Sequence, residues 1–193
     1  MKKLSVLFLI ALLLVALVAC GGSEEEKSDN KDAQKQSTSG SKEEAPELFD
    51  AGNVTAPVPA GWKAFTQTDY SSDDPNAIDP DIVQICKGGE TQTDIFIKPY
   101  IQINYWGPDG ATTDFEYLKS IYEQVELLEP MQIGPYLWEG FSTTDYGTTN
   151  IILYTQNGEY QLQASISCGE GNDAISVEDA DVQQILAGVT PSK

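Results

Sequence analysis

Carboxylates are the commonest reactive groups in this chain, and they crowd one stretch. Asp69-Tyr-Ser-Ser-Asp-Asp-Pro-Asn-Ala-Ile-Asp-Pro-Asp81 carries 5 aspartates in 13 residues. Asp69, Ser71 and Asp73 match the first ligand spacing of a calcium-binding EF-hand loop. The glycine that loop needs for its sharp turn is replaced by Asp74, and its final bidentate glutamate by Pro80, so the motif fails. The expectation is a solvated turn and no metal, with Asp73, Asp74, Asp79 and Asp81 as weak calcium candidates. Glycoside hydrolysis needs two opposed carboxyls. Acidic residues are plentiful, but no pair stands out, and Glu116, Glu123 and Glu126 read as the wet face of a helix. The chain has no histidine and no arginine. Histidine zinc sites and Ser-His or Cys-His nucleophiles are therefore excluded. No G-x-S-x-G or phosphate-binding glycine loop appears. The expectation is a protein that is not an enzyme and carries no cofactor.

Aromatic rings beside polar groups suit sugar or peptide recognition. Tyr105-Trp-Gly-Pro-Asp-Gly110 and Thr144-Asp-Tyr-Gly-Thr-Thr149 both have that composition. Tyr100, Trp106 and Tyr146 are the speculative binding residues. The competing reading makes them turn anchors packed over the core.

Cys20 closes Leu17-Val18-Ala19-Cys20, after a basic start (Lys2, Lys3) and an apolar run from Leu4 to Val18. A spanning helix needs about 20 apolar residues. This run is shorter, and a short apolar run between a basic flank and small residues is the signal-peptide pattern. An ordinary signal peptide has no need of cysteine directly after Ala19. The segment resembles the lipobox signal of bacterial lipoproteins. That resemblance implies lipid transfer to the Cys20 thiol, cleavage between Ala19 and Cys20, and acylation of the new N-terminus. Two or more acyl chains anchor a protein stably. Residues 1–19 are thus expected to be a removed signal. The mature chain would sit on the extracytoplasmic side of the cell membrane. Gly21 gives no inner-membrane retention signal, so the envelope type stays open.

Residues 20–46 hold almost no apolar side chains and are expected to form a disordered acidic, Ser-rich tether. Its mean span would be on the order of 25–30 Å. Residues 47–193 suit one domain with a full core. They carry 5 lysines against 23 Asp and Glu, a formal charge of −18. Nucleic acid is disfavoured, because phosphate neutralisation needs Lys and Arg. Docking on anionic headgroups is disfavoured likewise. Cationic partners, divalent metal and neutral ligands such as sugars remain. Acidity alone also keeps an exposed domain soluble. Besides the membrane, an envelope protein or a wall glycan is the expected partner. A carboxylate-dependent, glycan-directed envelope hydrolase is the alternative. Cys86 and Cys168 lie where disulfides persist. Sequence leaves a bridge and two buried thiols both open.

The expected fold class is α+β, an antiparallel sheet of about five to six strands flanked by two helices. Val54–Thr66 reads as two extended pieces around Pro57 and Pro59, with Trp62 in the core. Ile82–Lys87 reads as a short strand. Ile95–Trp106 alternates strictly, with Ile95, Ile97, Ile101, Ile103 and Tyr105 on one face. Pro99 within it implies a bulge or an edge. A helix is expected from Thr113, capped by Thr113 and Glu116, with a stripe from Phe115 to Leu128 and a stop at Pro130. Tyr136–Thr143 reads as a strand. Asn157-Gly158 predicts a type I′ hairpin pairing Thr155 with Tyr160, Leu153 with Leu162 and Ile151 with Ala164. A last helix spans about Val177 to Ala187, with Ser176 and Asp179 as its capping box and Gly188 as its stop.

Val58-Pro-Ala-Gly-Trp62 and Ile185-Leu-Ala-Gly-Val189 resemble the entry and the closing helix of PsbP-like domains. The resemblance covers ten residues. It implies an antiparallel sheet flanked by helices and a non-catalytic accessory or partner-binding role. It transfers no functional residue.

Overall fold

Period-two alternation recurs along the domain. In the computed structural model, which describes residues 46–107, 115–145 and 147–192, it produces mostly strands. These are β1 (Glu47–Asp50), β2 (Val54–Val58), β3 (Trp62–Thr68), β4 (Ile78–Lys87), β5 (Tyr100–Trp106), β6 (Val125–Ile133), β7 (Tyr136–Asp145), β8 (Thr148–Gln156), β9 (Gln161–Ser167) and β10 (Thr190–Pro191). The helices are α1 (Phe115–Ser120) and α2 (Ala180–Gly188). The expected α+β domain with five to six strands does not form. Among the described residues there are ten strands in two antiparallel sheets and only two short α-helices, so the fold is mostly β. The larger sheet runs β3-β4-β5-β9-β8-β7-β6 and the smaller β1-β2-β10.

The strand count rises through β1, β10 and β6, the last of which takes residues assigned to a helix. The stripe from Phe115 stops at Ser120, and Val125–Ile133 pairs along β7. An apolar run such as Val125-Glu-Leu-Leu128 fits either period, and the long-range ladder decides it. Pro130 sits where the β6–β7 register shifts, on an edge strand, where its missing N–H costs nothing. The capping residue Thr113 lies outside the described residues.

The strand expected over Ile95–Trp106 begins only at Tyr100. Gln92–Phe96 is instead a 3₁₀ turn. The Asp94 carboxylate ties it by accepting the amides of Glu90 at 2.7 Å and Thr91 at 3.0 Å. Pro99 therefore precedes an interior strand rather than marking an edge.

The β8–β9 hairpin keeps the expected faces with a register two residues away. Thr155 pairs with Leu162, Leu153 with Ala164 and Ile151 with Ile166. The loop is wider because Asn157 Oδ1 accepts the amides of Glu159 and Tyr160. A shift of two leaves every side chain on its original face.

One face of the large sheet buries Ile85, Ile101, Ile103, Leu153, Leu162 and Ile166 against the small sheet and α2. Val182, Ile185 and Leu186 of α2 are fully enclosed. Each such aliphatic contributes about 1.5–3 kcal/mol relative to exposure. Ser176 and Asp179 bond each other, Ser176 N to Asp179 Oδ2 at 3.0 Å, in the turn before α2 rather than within its first turn. Gly188 is the last residue of α2 rather than a stop beyond it, and the close approach of β2 requires glycine there, since a Cβ would lie 2.6 Å from Pro57 Cγ.

The Tyr136 hydroxyl donates to the carbonyl of Val189 at 2.7 Å and ties β7 to the end of α2. Burial, then the neighbouring Tyr160, pushes the Tyr136 phenol well above its ordinary value. Above about pH 10 the unfolded phenol ionises while the folded one keeps its proton, so stability falls as pH rises from there. Tyr136→Phe should cost about 0.5–1.5 kcal/mol at neutral pH. It should also flatten the alkaline fall of the melting temperature, as read by calorimetry across pH.

Candidate functional site

The second face of the large sheet is divided. Registers place Phe65, Gln84, Gln102, Ser165, Ile152, Phe141 and Leu127 in one row across it. A parallel row holds Lys63, Cys86, Tyr100, Ser167, Asn150, Thr143 and Val125. Toward β6 the first row is apolar, with Val125 beside it, and α1 covers it. Leu118 packs on Phe141 and Ile152, and the Phe115 ring stacks on Tyr154 at 6.0 Å. Toward β4 the rows turn to amides and hydroxyls.

A hollow of about 290 Å³ opens at the boundary, lined by Tyr100, Gln102, Tyr122, Asp145, Asn150, Ser165 and Ser167. Burial raises the Tyr100 phenol above its ordinary value, and the Tyr122 phenol adds to the rise. The Tyr100 hydroxyl therefore keeps its proton at neutral pH and can donate or accept. Beyond Ser167 lies a larger hollow of about 630 Å³, lined by Phe96, Ile97, Lys87, Lys98, Glu170 and Asp173. Phe96 and Ile97 are each 81% exposed, so Ile97 does not join the core face assigned to it. The two hydrogen bonds to its backbone neighbours hold the Asp94 carboxyl below the usual range.

Of the sequence-derived candidates, Tyr100 lines the polar hollow. Trp106 is half-buried at the far end of β5, opposite Gln161. Six positions of strand separate them by about 20 Å, so they form no common platform. Tyr146 lies outside the described residues, although Asp145 lines the polar hollow and Thr148 the larger one. Sequence reasoning missed Tyr122, Asn150, Ser165 and Ser167.

The acidic candidates are not gathered. Asp74 Oδ1 accepts the amide of Asn76 at 2.9 Å, Asp79 Oδ1 that of Asp81 at 2.9 Å, and Asp81 Oδ1 the Asn53 amide group at 2.8 Å. Asp73 is exposed in the same loop. Asp69 is held below its ordinary value by the hydroxyl and amide of Ser71. No three acidic or thiol groups converge among the described residues.

Cys86 and Cys168 are free and buried. Cys86 shares a row with Tyr100 and Ser167, whereas Cys168 packs into the core on the other face. The sheet itself separates the two thiols. Burial raises both, with Asp94 adding at Cys86 and Asp179 at Cys168. Intact mass should show no loss of two hydrogens under non-reducing conditions, and iodoacetamide should label both thiols only after denaturation.

No protein-family model matches this chain. No curated protein matches it. A crystal structure of a protein from Bacteroides thetaiotaomicron VPI-5482 is similar over 77% of this chain and 48% of its own, at 12% identity and a TM-score of 0.44. The chain thus spans about half the length of that protein.

Proposed function

We propose that this chain is a lipoprotein held on the outer side of the cell membrane by lipid on Cys20, with a non-catalytic domain that binds an envelope partner. The polar hollow at Tyr100 is its binding site. The observation that carries this reading is the half-covered sheet face. α1 encloses the apolar half, and two phenols, amides and hydroxyls line the hollow at its boundary among the described residues. Such groups recognise a neutral, hydrogen-bonding ligand. The lining of the polar hollow includes one carboxylate, Asp145, among the described residues, where glycoside hydrolysis needs two.

Co-sedimentation with purified wall sacculi tests the reading. The mature lipidated chain in detergent should pellet with sacculi and release no soluble fragment. Tyr100→Ala and Asn150→Ala should weaken binding at least about tenfold, the loss of roughly one good hydrogen-bonded contact. Absence of pelleting, or pelleting untouched by both substitutions, sinks it.

A further inference from the structure

Phe96 and Ile97 are the most exposed large side chains without a polar group among the described residues, at 81% each, and they are neighbours. They close the 3₁₀ turn between β4 and β5. The turn holds them out and does not let them fold back. The amides of Ile97 and Lys98 donate to the Asp94 carbonyl at 3.0 and 2.8 Å. Lys98 Nζ donates to the Gly88 carbonyl at 2.6 Å. Pro99 behind them is buried, and a Cβ on Gly169 would lie 2.6 Å from its Cγ. The domain's first strand starts at this same end. Glu47 pairs with Val58, three residues before Gly61, which puts it within about 16 Å of Gly61. The Gly88 amide donates to the Gly61 carbonyl at 2.7 Å, and Gly61, Gly88, Phe96 and Ile97 line one hollow. Three of the domain's five lysines gather here too. Lys87 and Lys98 line that hollow, and Lys63 Nζ donates to the Glu90 carbonyl at 2.7 Å.

We infer that the Phe96–Ile97 turn inserts into the outer surface of the bilayer that holds the lipid on Cys20, so that this end of the domain rests on the membrane. The inference rests on the anchor proposed above and goes beyond it, because it fixes which end of the domain faces the lipid. The chain itself selects a lipid surface as the occupant. The segment from Cys20 joins the domain at Glu47, beside the turn, so anchor and apolar pair are delivered to the same side. Two exposed side chains partition into a bilayer too weakly to hold a free protein. A tether makes the same insertion intramolecular, at high effective concentration. Lysine stems can lie along apolar surface while their amines reach headgroup phosphates. The acidity that disfavours headgroup docking for the domain as a whole is partly offset here. Asp94 is paired with Lys98 at 3.7 Å, and Lys63 and Lys87 stand against Glu90, Glu170 and Asp173.

Site-directed fluorescence on the full mature lipidated chain tests this. An environment-sensitive fluorophore is attached to the thiol of Ile97→Cys, or to that of Tyr70→Cys beyond the opposite end of β4, about 30 Å away. Tyr70 is 86% exposed and serves as the control. Cys86 and Cys168 are buried and escape labelling in the folded domain. In vesicles of phosphatidylethanolamine and phosphatidylglycerol with no other protein, the label at 97 should shift to the blue and lose most of its emission to nitroxide-bearing lipids. The label at 70 should do neither. Phe96→Asp, combined with the label at 97, should return the emission to its value in water while the chain still floats with the vesicles. Labels at 97 and 70 that behave alike in vesicles overturn the inference. So does shielding of 97 that arises only in intact cells, which would assign the turn to a protein partner. A chain that still floats in either case leaves the lipid anchor standing. A chain that neither floats nor is shielded removes anchor and inference together.

Discussion

Cys20→Ala should abolish lipid incorporation. Wild type is expected to label with radioactive palmitate and to yield a mature chain that begins at residue 20. The variant should label at background level and retain residues 1–19. The effect is all-or-none because the thioether needs a thiol nucleophile, and alanine offers none. Cys86 and Cys168 cannot substitute, since both are enclosed in the folded domain. Two or more acyl chains hold a protein on a bilayer far more firmly than one. Loss of lipid therefore removes stable anchoring of the processed form. Labelling and intact mass read the outcome directly, and a Cys20→Ala chain that still carries lipid contradicts it.

Gly140→Val unfolds the large sheet more than any surface change. Gly140 lies in β7 between β8 and β6 and faces the core. A Cβ there would meet the carbonyl of Ile152 and come within 2.6 Å of Leu153 Cδ2. Leu153 is fully buried and cannot swing into solvent. Even alanine is overpacked, at about 1–3 kcal/mol. For a domain of this size that is roughly 2–12 °C in melting temperature. Valine adds two methyls to the same gap and exceeds that range. Gly158 is the control. It has φ +88° with nothing within 4 Å. Gly158→Asn meets no clash and should therefore cost only the strain of its positive φ, about 1 kcal/mol, less than Gly140→Val. Calorimetry that finds the two variants alike contradicts the packing argument.

Sequence period located strands better than it located their ends. Ile101, Ile103 and Tyr105 are buried as their alternation implies, and the β8–β9 hairpin has the expected inner face. Ile95 and Ile97 continue the same alternation yet lie in and beside a 3₁₀ turn, because one local carboxylate, Asp94, outbids the pattern. Phe115 and Leu118 begin a true helical stripe, but Val125 and Leu128 belong to a ladder with β7 that only a distant partner can define. The site shows the same limit. Tyr100 is conspicuous as an aromatic on a polar face. Asn150 and Ser167 share its row only because β9 inserts between β5 and β8, and nothing local announces that order. Trp62 Nε1 donates to Asp181 of α2 at 3.0 Å, and a Cβ on Gly188 would lie 2.6 Å from Pro57 Cγ, a packing of α2 on β2 and β3 that no local pattern announces.

Photo-cross-linking in intact cells tests the account most directly. A benzophenone side chain replaces Gln102 on the polar face in one strain. In another it replaces Gln183, which is exposed on α2 at the opposite side. The account predicts high-mass adducts from position 102 that collapse when wall glycan is digested, and none from position 183. Adducts from position 183 alone, or from neither, would contradict it.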